Sequence, residues 1–267
     1  KQALERAHLA PEEIDVLIVA TATPDYFGFP STACLVQAKL GLTNAAAFDI
    51  TAGCTGFIYG IDIAGSMLGK FGRKRALVIG AETLSRIMDW NDRATCVLFG
   101  DGAGAAVLEY SDEEGNGILH SWLQAKGDGA LNLYLSQPSR DSAYVRHPFE
   151  KDPSVIMNGK NVYMFAVKAI TDIIEHLIAV SGFNLEDFAW IVPHQANARI
   201  VQAAAKRFGI PETKFYMNME EYANTSAASV PIAFNEMAEK GLLKKGDLVM
   251  TMGFGAGLTY GGTIIRW

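Results

Sequence analysis

Asp247-Leu248-Val249-Met250-Thr251-Met252-Gly253-Phe254-Gly255-Ala256-Gly257-Leu258, followed by the apolar run 261–267, reads as a strand, a glycine-rich bend and a second strand. The same plan stands earlier, in Thr95-Cys96-Val97-Leu98-Phe99-Gly100-Asp101-Gly102-Ala103-Gly104-Ala105-Ala106-Val107-Leu108-Glu109, where two apolar runs joined by a glycine-rich bend predict a hairpin. What precedes each bend is also alike. Before the first, strand-like runs at 15–21, 46–50 and 76–80 alternate with helical stretches at 31–40 and 54–70. Before the second come a long helix at 159–181, a strand at 190–193, a helix at 197–208, a short strand at 214–218 and a helix after Asn224.

Alternating strands and helices define an α/β layered fold, and a repeat of about 110 to 130 residues is an internal duplication too long for a solenoid. The halves are expected at residues 1–115 and 116–267. The polar stretch 127–153, with Pro138, Pro148 and Pro153, has no periodicity and reads as a long connecting loop in the second half. Two similar halves place their equivalent turns around one central cleft.

The chain has 267 residues, of which 49% are hydrophobic and 19% charged, enough to bury one large core or two coupled ones. A net charge of −6 argues against a nucleic-acid binder, which needs a basic face to neutralise phosphates. No run approaches the roughly 20 apolar residues that span a bilayer, so the expectation is a cytoplasmic protein without a membrane partner. The three cysteines, Cys34, Cys54 and Cys96, form no C-x-x-C pair, which disfavours a disulfide framework and a zinc site. Neither does any histidine pair have metal-ligand spacing, so no metal is expected. The first residue is Lys1 and the opening residues read as the tail of a helix, so an upstream segment is expected to be missing.

In Phe48-Asp49-Ile50-Thr51-Ala52-Gly53-Cys54-Thr55-Gly56-Phe57 a strand ends, small residues turn the chain and a helix begins on the sulfur. Backbone N–H groups and the helix dipole favour thiolate there, although a lone cysteine also serves as a small buried hydrophobe. Cys34, on a helix, and Cys96, in an apolar strand, read as structural. His194 follows a strand and Pro193, at the end where α/β sheets collect functional groups; a hydrogen-bonded structural histidine is the other reading. Asn224 opens Asn224-Thr225-Ser226-Ala227-Ala228-Ser229 and suits either a helix cap or a cleft, with Thr225 or Ser226 serving the helix in the second case.

The glycine-rich segments lack the spacing of nucleotide-binding loops and read as tight bends. The one at 253–257 has backbone free to turn an N–H toward a developing oxyanion. Arg199, Lys206 and Arg207 share one helical face, which is either solvated or a dock for an acidic partner.

Together, Thr51-Ala52-Gly53-Cys54-Thr55-Gly56-Phe57, Val192-Pro193-His194-Gln195-Ala196-Asn197, Asn224-Thr225-Ser226-Ala227-Ala228-Ser229-Val230-Pro231 and Gly253-Phe254-Gly255-Ala256-Gly257 closely resemble β-ketoacyl-acyl-carrier-protein synthase III. The resemblance covers nearly the whole chain. It implies the thiolase fold, a five-layered α-β-α-β-α body of two duplicated halves, and a homodimer. It implies Cys54 as the nucleophile that takes an acyl group from acyl-coenzyme A. His194 and Asn224 would bind the thioester carbonyl of malonyl-acyl carrier protein during decarboxylation.

The backbone N–H groups of Cys54 and Ala256 would form the oxyanion hole. The resemblance further places Arg93 and Asn197 at the coenzyme A tunnel, Phe29 in the partner's acyl pocket, and Arg199, Lys206 and Arg207 at the carrier-protein dock. It implies no permanently bound cofactor. Elongating relatives generally use two histidines, so Asn224 points to the initiating type; a starter-unit enzyme of polyketide or quinolone metabolism shares the motifs. Two departures are Met164, where relatives often carry a basic docking residue, which shifts that contact toward Lys168, and the absent opening strand with its Trp and Arg residues for coenzyme A.

Papain-like proteases also order Cys, His and Asn along the chain, but the surround of Cys54 and the duplicated pattern are wrong for them.

Overall fold

The computed structural model describes residues 1–136 and 154–267. Along the first part run α1 (Gln2–Arg6), β1 (Val16–Ala20), α2 (Thr32–Leu40), β2 (Ala46–Ile50), α3 (Gly56–Met67), β3 (Arg75–Glu82), β4 (Gly102–Glu109), β5 (Gly117–Ala125) and β6 (Leu133–Leu135). The remainder carries β7 (Val155–Met157), α4 (Gly159–Ser181), β8 (Phe188–Pro193), α5 (Ala198–Phe208), α6 (Met219–Tyr222), α7 (Ser229–Glu239), β9 (Leu248–Gly255) and β10 (Thr259–Arg266).

Two four-stranded sheets form, ordered β2-β1-β3-β4 and β5-β10-β9-β8. Their cores correspond strand for strand: β1 is parallel to β3 and β3 antiparallel to β4, as β8 is parallel to β9 and β9 antiparallel to β10. The duplication read from the glycine-rich bends is therefore a duplication of sheet topology.

Strand alternation builds the layers, because successive side chains leave opposite faces of a sheet. Val16 and Ile18 of β1 join Val192 and Val249 of the other sheet around α3 and α7, whose Phe57, Ile58, Ile61, Val230, Ala233 and Met237 fill the space between the sheets. Leu17 and Val19 point the other way, toward Leu4 of α1 and Ala33 of α2. On the far side Ile191, Met250 and Met252 meet Ile170, Ile173 and Leu177 of α4 and Ile200, Val201 and Ala204 of α5. Three helical layers thus enclose two sheets, giving the α-β-α-β-α order. Central β1 and β9 are buried along their whole length, which is why β1 reads as an unbroken apolar run and β9 as one broken only by Thr251.

Three expectations about elements need correction. Residues 95–99 form no strand and the first bend is not a hairpin; β4 instead pairs with β3, with Gly80 opposite Gly104. The cause is Asp92, whose carboxylate accepts from Thr95 Oγ1 at 2.7 Å and from the Ala94 N–H at 3.0 Å, winding the apolar residues into turns. Cys96 therefore lies in a turn, and Cys34 on α2 is exposed.

The strand at 214–218 is reduced to a single parallel bridge between Ile191 and Phe215. Gln195 replaces the ladder: its Nε2 donates to Tyr216 O at 3.1 Å and its Oε1 accepts from the Asn218 N–H at 2.9 Å.

In the stretch read as a loop at 127–153, residues 127–132 form a 3-10 turn and β6 pairs with β7, Leu133 opposite Met157. Residues 137–153 lie outside the described residues.

Candidate active site

β2 ends at Ile50, and the 3-10 turn Gly53–Thr55 intervenes before α3 begins at Gly56, so Cys54 sits one turn ahead of the helix rather than on its first residue. Gly53 has φ 51°, in the left-handed region, and a Cβ there would meet Ala256 at 3.1 Å. Thr55 Oγ1 donates to Thr259 O at 3.0 Å, and Thr259 Oγ1 lies 2.9 Å from the Ala52 carbonyl oxygen. These bonds clamp the cysteine turn to the bend between β9 and β10.

Cys54 is only 7% exposed. Burial pushes its thiol up to about 11, against the lowering by the Ser226 side chain and by the amides of Ala256 and Cys54 itself; the nearby Glu82 charge raises it further. The thiolate expected from the helix end is thus a thiol in the resting site, because desolvation outweighs the turn's amides. Glu82 is itself buried, and burial raises its carboxyl above the usual range. It is held by Thr23 Oγ1 at 2.8 Å and the Ala22 N–H at 3.1 Å, and Ser226 lies between it and Cys54.

His194 follows β8, its N–H bonded to Met252 O at 2.7 Å. The ring is 1% exposed, meets Phe254 edge-on with centroids 5.6 Å apart, and places Nδ1 2.7 Å from Ser229 Oγ. Burial lowers its pKa to about 3, so the imidazole is neutral at physiological pH.

Asn224 is held from both sides by the turn segment of the first half: its N–H donates to Leu98 O at 3.0 Å and its carbonyl accepts from the Gly100 N–H at 2.9 Å. Its Oδ1 accepts from the Ser226 N–H at 2.9 Å. The oxygen therefore serves the turn, as the capping reading expects, and Nδ2 has no hydrogen-bond partner among the described residues. Ser226 has φ 49°, a strained value for a residue other than glycine.

Each residue of the set reaches the others through a named contact. Ser226 touches the Cys54 sulfur and bonds Asn224; Ser229, on the same helix start, bonds His194. Phe254 packs on His194, and the adjacent Gly255 lies against Cys54.

The outlying candidates stand on the surface. Arg93 is exposed, and Phe29 is 90% exposed on a loop with Tyr26 and Phe27. Asn197 caps α5, accepting from the Arg199 N–H at 2.9 Å. Arg199, Lys206 and Arg207 are exposed on α5, with Arg207 paired to Glu175 at 2.9 Å. Met164 is 61% exposed on α4, and Lys168 pairs with Asp172 at 2.8 Å.

Sequence reasoning missed Thr55, Thr259, Glu82, Ser226 and Ser229 as parts of the site. The two serines lay inside the motif singled out at Asn224 and Thr55 inside the one at Cys54; Thr259 and Glu82 carried no signal of their own.

Among the described residues no group of three or more His, Cys, Asp or Glu side chains is placed to hold a metal ion, and no helix is long and apolar enough to cross a membrane.

A buried cysteine between two duplicated sheets, linked through Ser226 to a carboxamide and through Gly255 and Phe254 to a buried imidazole, marks a thiolase-fold condensing enzyme. Two family models match this chain: 3-oxoacyl-[acyl-carrier-protein] synthase III over residues 48–127, and the C-terminal part of the same enzyme over residues 178–267. A β-ketoacyl-[acyl-carrier-protein] synthase III of Caldanaerobacter subterraneus is 50% identical, covering 100% of this chain and 80% of that protein. The crystal structure of 3-oxoacyl-[acyl-carrier-protein] synthase III from Aquifex aeolicus superposes with a TM-score of 0.89 at 42% identity, over 99% of this chain and 81% of that one. A priming β-ketosynthase of a polyketide biosynthetic pathway also superposes at 0.89, with 35% identity over 98% and 78% of the two chains. The chain belongs to the β-ketoacyl-acyl-carrier-protein synthase III family of acyltransferases.

Proposed function

We propose that this enzyme initiates fatty acid synthesis by condensing a short acyl-coenzyme A primer with malonyl-acyl carrier protein. The Cys54 sulfur attacks the primer thioester, forming acyl-cysteine and releasing coenzyme A with the thiol proton. Amides of Cys54 and Ala256, which face the sulfur, hold the oxyanion of this step. Malonyl-acyl carrier protein then loses carbon dioxide, and its thioester enolate is held by His194 and Asn224. The enolate carbon attacks the acyl carbonyl, expelling the cysteine sulfur and leaving 3-oxoacyl-acyl carrier protein.

The observation that carries this reading is the orientation of Asn224. Its oxygen is occupied by the Ser226 N–H, so the group offered outward is a donor. A developing enolate oxygen needs donors, and each can be worth about 3 kcal/mol. A neutral imidazole suits the same task without the attraction an imidazolium would have for the substrate carboxylate.

Arg93 and Asn197 serve coenzyme A in this scheme, and exposed Arg199, Lys206 and Arg207 dock the acidic carrier protein. Exposed Phe29 enters the acyl pocket of a second copy in a homodimer. The setting is cytoplasmic. The likeness to the polyketide priming enzyme supports a second reading, in which the same chemistry starts a secondary metabolite.

The test is incubation with a panel of acyl-coenzyme A donors and mass analysis of the Cys54 peptide. An acyl adduct is expected, absent in Cys54→Ser, while His194→Ala and Asn224→Ala load normally and fail to decarboxylate malonyl-acyl carrier protein. No adduct from any donor, or condensation by Cys54→Ser, overturns the proposal. The preferred primer separates the two metabolic settings.

A further inference from the structure

We infer that Ser229 is a positioning residue that locks neutral His194 in the tautomer carrying its proton on Nε2. The inference deepens the proposed function and rests on its assignment of His194 as a donor.

Ser229 is the first residue of α7 and is 2% exposed, so water does not complete its hydrogen bonds. Among the described residues its hydroxyl has two hydrogen-bond neighbours: the Gln195 N–H at 3.4 Å and His194 Nδ1 at 2.7 Å. A hydroxyl carries one hydrogen to donate and two lone pairs to accept. The Gln195 N–H can only donate, so it takes a lone pair. The hydroxyl hydrogen then has one acceptor in reach, the Nδ1 lone pair.

The opposite tautomer places an N–H on Nδ1 facing a hydroxyl oxygen already receiving one. That oxygen has a second lone pair, but its own hydrogen would then be buried without an acceptor, at a cost of about 1–3 kcal/mol. The satisfied network is Gln195 N–H to Ser229 Oγ, and Ser229 O–H to His194 Nδ1. A neutral imidazole accepting at Nδ1 carries its hydrogen on Nε2.

The consequence divides the labour of the site. His194 with Nε2–H is a donor, as Asn224 Nδ2 is, and lacks the lone pair needed to remove the Cys54 proton. Acyl loading is then independent of the Ser229 contact, whereas malonyl decarboxylation depends on it.

The experiment uses the enzyme labelled with 15N-histidine, the His194 signals being assigned by their loss in His194→Gln. The expected spectrum shows a protonated Nε2 and an unprotonated Nδ1; a protonated Nδ1 in the wild type overturns the inference whatever the variants do. Ser229→Ala should slow malonyl-acyl carrier protein decarboxylation roughly 10- to 100-fold, the range for outer partners that orient a functional imidazole. Acyl loading of Cys54 should be unchanged, and Ser229→Thr should restore decarboxylation in part. Equal loss of both half-reactions in folded Ser229→Ala, or no loss of decarboxylation, overturns it. Should the wild type bear the expected tautomer yet decarboxylate no malonyl thioester, the proposed function fails and the tautomer assignment stands.

Discussion

The backbone of Gly255 passes so close to Cys54 that a Cβ on it would lie 2.8 Å from the cysteine Cβ and 2.9 Å from its sulfur. Every residue of β9 is buried, so the strand has no free side to retreat toward. Gly255→Ala is expected to cost about 1–3 kcal/mol by overpacking and to displace the sulfur. Thermal unfolding and the rate of acyl transfer to Cys54 read both effects; full loading at the wild-type rate would show that the strand gives way.

Asn224→Asp separates the two jobs of that side chain. A carboxylate still accepts from the Ser226 N–H, but a charge at this buried position is desolvated, so stability should fall while the Nδ2 donor is lost. Malonyl decarboxylation is expected to fall about 100-fold or more with acyl loading retained. Retention of decarboxylation would remove Asn224 from the enolate site.

The pH behaviour follows from burial. With the thiol raised to about 11, alkylation of Cys54 by iodoacetamide should climb steadily from pH 7 to pH 10, with no plateau near neutrality. A plateau near pH 7 would mean a thiolate at rest. Between its ordinary 9.0 and about 11 the folded protein holds a Cys54 proton that the unfolded chain releases, so stability is full below 9.0 and declines through that window as pH rises.

His194 acts in the opposite window. Its pKa falls from 6.5 to about 3 on folding, so between those values the unfolded chain binds the extra proton. The His194 contribution is full above 6.5 and lost as pH drops toward 3, with a slope of about 1.4 kcal/mol per pH unit. Urea denaturation across this range should show a shallower acid limb in His194→Gln; an unaltered limb would refute the buried neutral imidazole.

Thr225 Oγ1 is buried with no hydrogen-bond partner among the described residues. Thr225→Val keeps the shape and removes the unmet group, so the variant should be neutral or more stable by about 1 kcal/mol. Destabilisation, seen by chemical denaturation, would reveal a partner for the hydroxyl.

Charge reversal at Arg199 and Lys206 should raise KM for malonyl-acyl carrier protein and leave loading by acyl-coenzyme A untouched. Glu175→Gln releases Arg207 from an exposed pair, so stability should change by less than about 0.5 kcal/mol. A carrier-protein KM unaffected by both reversals would move the dock off α5.

The apolar runs of β1, β2 and β3, the long α4 and the β9–β10 hairpin were all legible in the chain, because the strands leave short apolar runs and an amphipathic helix leaves a period in the residues that form them. Residues 95–99 and 214–218 misled for a shared reason. Asp92 and Gln195 are single polar side chains whose hydrogen bonds override the strand propensity of their apolar neighbours. The contact that makes such a residue decisive lies outside any local pattern.

From the sequence alone came the duplicated α/β plan and the candidacy of Cys54, His194 and Asn224, which their local settings left open and the family resemblance picked out. The tertiary structure decided their chemical state. Whether Cys54 is thiol or thiolate, whether His194 is charged, and which end of Asn224 faces outward depend on desolvation and on partners such as Glu82, Ser229 and Ser226. Ser226 is local to Asn224, but Glu82 and Ser229 reach Cys54 and His194 from distant segments and meet them only when the two sheets close on the layer of α3 and α7. The helix-end argument for a thiolate considered the local dipole; the folded core added the burial that outweighs it.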